Sequence, residues 1–235
     1  MAETPEEKVT GFLNTFLDFL YAAVFAFLVQ QAYEKVILAT SDPQLSKTLD
    51  VPFLTREEKI TRLFLVAGVL YFLMTDYIQA RLLISRNPFR RFRRFFISFF
   101  IAVCYFGAAI EVMRADIFFL YYIVLILCFG SLWAHTALNE YPESGDKREM
   151  LVIRLVQPIM AFIGFAGYKY WSYRIGDIIS IQGALFLLAL GWVYEFIYVV
   201  LGPTQLGIEG GSGILFVSWE RVARIRNFFK KIRGL

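Results

Sequence analysis

DIFFLYYIVLILCFGSLWAHTAL, residues Asp116 to Leu138, is the stretch that decides the fold class. Asp116 opens it, His135 sits near its end, and no other residue in it is charged at neutral pH or a strong hydrogen-bonding handicap in oil. At about 1.5 Å of rise per residue such a run is about 34 Å long as a helix, enough for the ~30 Å hydrocarbon core of a bilayer. Five more stretches read the same way: Gly11–Ala32, Thr61–Ile84, Phe92–Val112, Met150–Tyr170 and Ile179–Leu201 are long and apolar, giving six with the first. The expectation is an all-α polytopic membrane protein with six transmembrane helices. Its short ends and connections complete the organisation: Met1–Thr10 as an N-terminal segment, Gly11–Leu201 as the transmembrane domain, Gly202–Gly213 as a glycine-rich linker, and Ile214–Leu235 as a terminal helix.

Composition agrees. The 235 residues are 58% hydrophobic and 18% aromatic, against roughly 45–50% apolar for soluble domains. Cys104 and Cys128 both lie in apolar runs and there is a single histidine. Disulfide scaffolds, zinc sites and bis-histidine haem ligation are therefore not expected, and no cofactor is implied. The N-terminal segment is acidic and no small-residue cleavage site follows the first apolar run, so that run is expected to stay as a membrane helix. In the terminal segment Leu215, Trp219, Val222, Ile225 and Phe229 recur at helical spacing against Arg221, Arg224, Arg226, Lys230 and Lys231. That pattern predicts a basic amphipathic helix lying on anionic lipid headgroups; a helix packed on a neighbouring element is the alternative.

Basic residues also orient the chain. Arg86, Arg90, Arg91, Arg93 and Arg94 crowd the second connection, and with six spans it shares a side with both termini. The positive-inside rule then places both termini in the cytoplasm. The first connection, Tyr33–Lys59, carries Lys35, Lys47, Arg56 and Lys59 with acidic residues interspersed, which argues the other way less strongly. Lying between two membrane helices, the arginine run reads as a topology or headgroup signal rather than a nucleic-acid patch.

Ionisable groups inside the spans are the functional lead, because each is costly in hydrocarbon and faces a bundle interior or water. Asp18, Asp76, Arg81, His135, Arg154 and Glu195, with Asn14, fall toward the end of the bundle that bears the arginine run. Two readings fit them: a polar network handling an ion or proton, or interhelical pairs that fix packing. Arg81 also lies near enough to a helix end to snorkel. On helix one Gly11, Asn14, Asp18, Ala22, Phe25, Ala26 and Val29 share a face that starts polar and turns small and apolar. Such a face suits a path gated by an apolar constriction, and equally a close helix–helix seam. Gly164 and Gly167 with Ala161 predict close packing of helix five, and Gln157–Pro158 predicts a kink that frees a backbone carbonyl.

The string Phe16-Leu17-Asp18, followed by Tyr21, Ala22, Val24 and Phe25, resembles the signature of the endolysosomal-type potassium channel family, which includes prokaryotic six-span members. Phe16 and Asp18 match its Phe-Ser-Asp motif and Leu17 stands in the serine position; the upstream arginine and the histidine-bearing second helix of the family have no counterpart. The resemblance implies a homo-oligomeric channel for a monovalent cation, with first helices lining the pore. It places Asp18 in a polar network and makes Ala22, Phe25 and Val29 pore-facing. Phosphate-binding loops, H-E-x-x-H, G-x-S-x-G and the T-V-G-Y-G filter are absent from the sequence. The functional expectation is a cation channel or transporter. A non-transporting assembly subunit and a small lipid-modifying enzyme centred on Asp76 are the alternatives.

Overall fold

Apolar runs of this length leave their backbone one solution in oil, which is to satisfy every N–H and C=O within the helix. The computed structural model describes residues 5–38, 54–144, 147–175 and 178–201, and there the chain forms six α-helices without strands. They are α1 (Pro5–Ala32), α2 (Arg56–Arg86), α3 (Phe92–Glu111), α4 (Ile117–Glu140), α5 (Lys147–Ile175) and α6 (Ile181–Leu201), with a π-helical extension of α1 over Tyr33–Leu38. α1 to α5 each contain a stretch long and apolar enough to cross a membrane, and α6 adds the apolar stretch Ile181–Tyr194. The chain is an integral membrane protein. The terminal amphipathic segment Ile214–Leu235 and the glycine-rich linker lie outside the described residues.

The helices outrun the expected spans. The first connection was expected over Tyr33–Lys59, yet its start winds on as the π-helical turns and its end belongs to α2. A capping box explains the latter: Glu58 N donates to Thr55 Oγ1 at 3.2 Å, and Thr55 N donates to Glu58 Oε2 at 2.7 Å. These satisfy donors that open every helix and start α2 before its apolar part begins. At the other end of the bundle Asp116 caps α4, accepting from Phe118 N and Phe119 N. Just before it Ala115 takes a left-handed φ of 52°. Its carbonyl accepts from Ile179 N at 2.6 Å, which ties the α3–α4 turn to the start of α6.

The helices close into a ring, α1–α3–α4–α5–α6–α2, in which α2 returns to α1. Buried shares of the apolar windows, 61% for α3 against 28% for α1, make α3 the most enclosed of the first five helices and α1 the least. α1 contributes the stripe Leu13, Leu17, Tyr21, Val24 and Leu28 to the core. Because lipid is as apolar as leucine, such helices are held by close packing rather than by hydrophobic transfer. Glycine provides the room: the Phe72 ring of α2 fills the place that a Cβ on Gly191 of α6 would take, and Phe186 of α6 does the same at Gly167 of α5. The close packing expected of helix five at Gly164 and Gly167 is its seam with α6.

The expected freed carbonyl is found. Pro158 inside α5 has no N–H to give Arg154 O, four residues earlier, and Ser131 Oγ of α4 donates to that oxygen at 2.8 Å. Next to the proline, Gln157 packs its side-chain amide against Gly130 of α4 and donates from Nε2 to Tyr194 Oη of α6 at 3.2 Å. One irregular turn therefore bonds α5 to both of its neighbours.

Candidate functional site

Where α1 meets α2 each helix gives one tyrosine and one aspartate. Tyr21 of α1 donates to Asp76 Oδ2 at 3.1 Å, while Tyr77 of α2 donates to Asp18 Oδ1 at 3.0 Å. Arg81 of α2 closes the arrangement, its Nη2 2.9 Å from Asp18 Oδ2. The Tyr21 and Tyr77 rings pack with centroids 5.2 Å apart. Arg81, which the sequence also leaves open to snorkelling, is the ion-pair partner of Asp18. Asp76 differs: among the described residues no cation lies within ion-pairing distance of it.

The far side of Asp76 faces a cavity of about 100 Å³ inside the ring, bounded by α2, α3, α4, α5 and α6. Its wall on α2 is the stripe Leu65, Gly68, Val69, Phe72, Thr75, Asp76 and Gln79, one face of the helix at its natural spacing. Gln157 and Tyr194 bring the polar groups of α5 and α6. Asp76 stands ten residues before Arg86, and Gln157 ten residues after Lys147, at about 1.5 Å per residue. Both lie about 15 Å from the same end of the bundle, so the polar groups form one level and aliphatic and aromatic side chains line the rest. The Thr75 hydroxyl gives its proton to Tyr71 O and Phe72 O and so has only lone pairs to offer there. Gln157 Oε1 is buried without a hydrogen-bond partner.

The remaining sequence-derived residues disperse. Ala22, Phe25 and Val29 face away from the ring, with Phe25 41% and Val29 43% exposed. Asn14 is half-buried with Oδ1 unpartnered. His135 contacts Asn139 Nδ2 at 3.3 Å through Nε2, and its Nδ1 is buried without a partner. The Arg154 side chain is exposed, and its contribution is the carbonyl taken by Ser131. Glu195 lies on α6, and its side chain is outside the described residues. Among the described residues no group of histidine, cysteine and acidic side chains is placed to hold a metal ion.

One residue of the arginine run departs from the topology reading. Arg94 is fully buried, 3.5 Å from Glu140 Oε2 at the end of α4, and donates to the carbonyls of Asn87 and Pro88. Phe89, Trp133 and Tyr141 surround the guanidinium at 5.1, 5.4 and 5.5 Å from their ring centroids. The contact with Glu140 lacks hydrogen-bond alignment, so its attraction is Coulombic. Arg90 donates to Glu140 O at 3.0 Å and Tyr141 to Pro88 O at 2.7 Å, completing a clamp that pins the α2–α3 turn to α4. Glu140 closes a span and Arg94 opens one; only the turn over Asn87–Pro88–Phe89 shows that they meet.

Compared with known protein families, curated proteins and solved structures, the chain finds no match.

Proposed function

We propose that this protein binds and passes a small monovalent cation, and that Asp76, inside the ring, is where the cation is held. The observation that carries the reading is the contrast among the acids. Asp18 has Arg81 and Glu140 has Arg94, while Asp76 has a tyrosine hydroxyl, a cavity and, among the described residues, no cation. A carboxylate in hydrocarbon with no counter-ion of its own is suited to borrow one. In this reading the arginine-rich end faces the cytoplasm, and the cation reaches Asp76 from that side. The test is flux into liposomes from purified protein under potassium, sodium, proton and n-butylammonium gradients. Flux above that of empty vesicles, falling at least tenfold in Asp76→Asn, supports the proposal; flux indifferent to Asp76→Asn refutes it.

A second reading follows from α1, whose Ala22, Phe25 and Val29 face outward with Asn14 Oδ1 unpartnered beside that stripe. A path along this face needs several copies of the chain, as the resemblance to the potassium channels implies. Phe25→Ala then raises leak conductance, while a cation held at Asp76 within each chain leaves conductance insensitive to Phe25.

A further inference from the structure

The cavity at Asp76 is a poor cage for a bare alkali ion. Such an ion gives up its water only for several oxygens at once, as in filters built from rings of carbonyls. Here one oxygen of Asp76 accepts a single bond from Tyr21, the Thr75 hydroxyl donates into its own helix, and Tyr194 Oη accepts from Gln157 Nε2, so each of these oxygens keeps a lone pair. The oxygens open on this level are those of Asp76, Thr75 and Tyr194, with Gln79 about one turn nearer the helix end, while Gln157 Oε1 is buried against Gly130; all of them lie toward one end of the cavity. Everything else in the wall is aliphatic or aromatic, with Phe72, Tyr105 and Phe119 among the rings.

An organic ammonium ion matches that division. Its N–H donors and charge fit a carboxylate, its positive charge is attracted by aromatic faces, and its carbon chain needs no polar partner. Pockets for small organic ligands have this composition, with apolar walls and a few placed polar groups. Size narrows the class. A cavity of about 150 Å³ holds benzene, so about 100 Å³ holds a ligand of about four or five non-hydrogen atoms. We infer that the cavity bounded by α2 to α6 binds a small alkylammonium ion, its charged head at Asp76 and its chain among the apolar residues toward the α3–α4 end. This inference rests on the reading of Asp76 as a cation site and names the class of cation.

The experiment is a thermal-unfolding series on the full chain in detergent at constant ionic strength. The probes are n-butylammonium chloride, n-butanol, potassium chloride and sodium chloride. n-Butylammonium at about ten times its Kd is expected to raise Tm by about 3–6 °C, with no comparable rise from the other three. The shift is expected to vanish in Asp76→Asn and in Ala161→Leu, which fills the cavity and leaves the carboxylate in place. If Asp76→Asn does not fold, Ala161→Leu carries the comparison. A rise with potassium or sodium that needs Asp76 and matches that of n-butylammonium overturns the inference and leaves the cation site standing. Equal rises with n-butanol and n-butylammonium, unchanged in Asp76→Asn, overturn both. The absence of any shift overturns the inference, and Asp76-dependent flux then decides the broader reading by itself.

Discussion

Glu140 and Asp76 are two acids inside one helix bundle, and their surroundings are opposite. Glu140 faces the guanidinium of Arg94, which is fully buried among three aromatic rings and bonds the turn carbonyls. Asp76 meets one tyrosine hydroxyl on one side and a cavity on the other. The first arrangement uses up its charges in holding α2, α3 and α4 together. The second leaves a charge whose partner has to come from outside. A buried ionisable residue is thus informative about function only after its partners have been counted.

The comparison breaks most readily at the clamp. Glu140→Ala leaves Arg94 in an aromatic box with no acid facing it, and removing one member of a buried pair costs about 3–5 kcal/mol. Unfolding in detergent is expected to show that loss, while flux per folded molecule stays near that of the parent. A clamp variant that folds normally but loses flux would assign the clamp to the transport path and erase the contrast.

Asp76→Asn sharpens the same contrast from the other side. It removes a charge that no cation in the described chain compensates, and an asparagine oxygen still accepts from Tyr21. Stability is expected to hold or rise, by no more than about 2 kcal/mol, as flux falls. A stability loss as large as that of Glu140→Ala would mean that Asp76 is a packing element with a partner beyond the described residues.

The six apolar helices could be read from the sequence because hydrocarbon imposes a length and a composition that few other structures share. Which face of each helix turns inward was far less legible. In a soluble protein the apolar stripe marks the core; in a bilayer both surroundings are apolar, and α1 shows the consequence. Its small-residue stripe through Ala22 and Val29 faces outward, and the leucine-rich stripe through Leu17, Tyr21 and Leu28 is the buried one. On α2 the signal was present: Phe72, Thr75, Asp76 and Gln79 follow helical spacing, so the polar groups flanking Asp76 share its face. The proline effect was legible because the missing N–H names its orphan carbonyl, Arg154 O. Its donor, Ser131, lies on another helix and was not. Arg94 was hidden by its neighbours, since five arginines in nine positions look alike until a turn buries one of them.

A smaller effect is expected at that proline. Ser131→Ala removes the hydroxyl bonded to Arg154 O and costs about 1 kcal/mol, read as a shift in unfolding with flux unchanged. An equal loss in Ser131→Thr, which retains a hydroxyl, would show that packing at this seam matters more than the hydrogen bond.

The Asp18–Arg81 pair lies between the two extremes and calibrates them. Its contact at 2.9 Å is closer than that of the clamp, yet its side chains are 32% and 37% exposed. Geometry alone ranks it the stronger pair; solvation ranks it the weaker. Arg81 is five residues from the arginine-rich end of α2, about 8 Å along the helix, within reach of headgroup water. Water there screens the attraction and rehydrates whichever partner is left, so Arg81→Gln is expected to cost about 1 kcal/mol or less. Tyr77 still donates to Asp18 in that variant, which limits the loss further. Equilibrium unfolding of Arg81→Gln beside Glu140→Ala measures the difference directly. A cost equal to that of the clamp would put Asp18 at hydrocarbon depth, where an exposed surface faces lipid rather than water. The acids would then differ only in having or lacking a cation, and Asp76 would stand alone more sharply still.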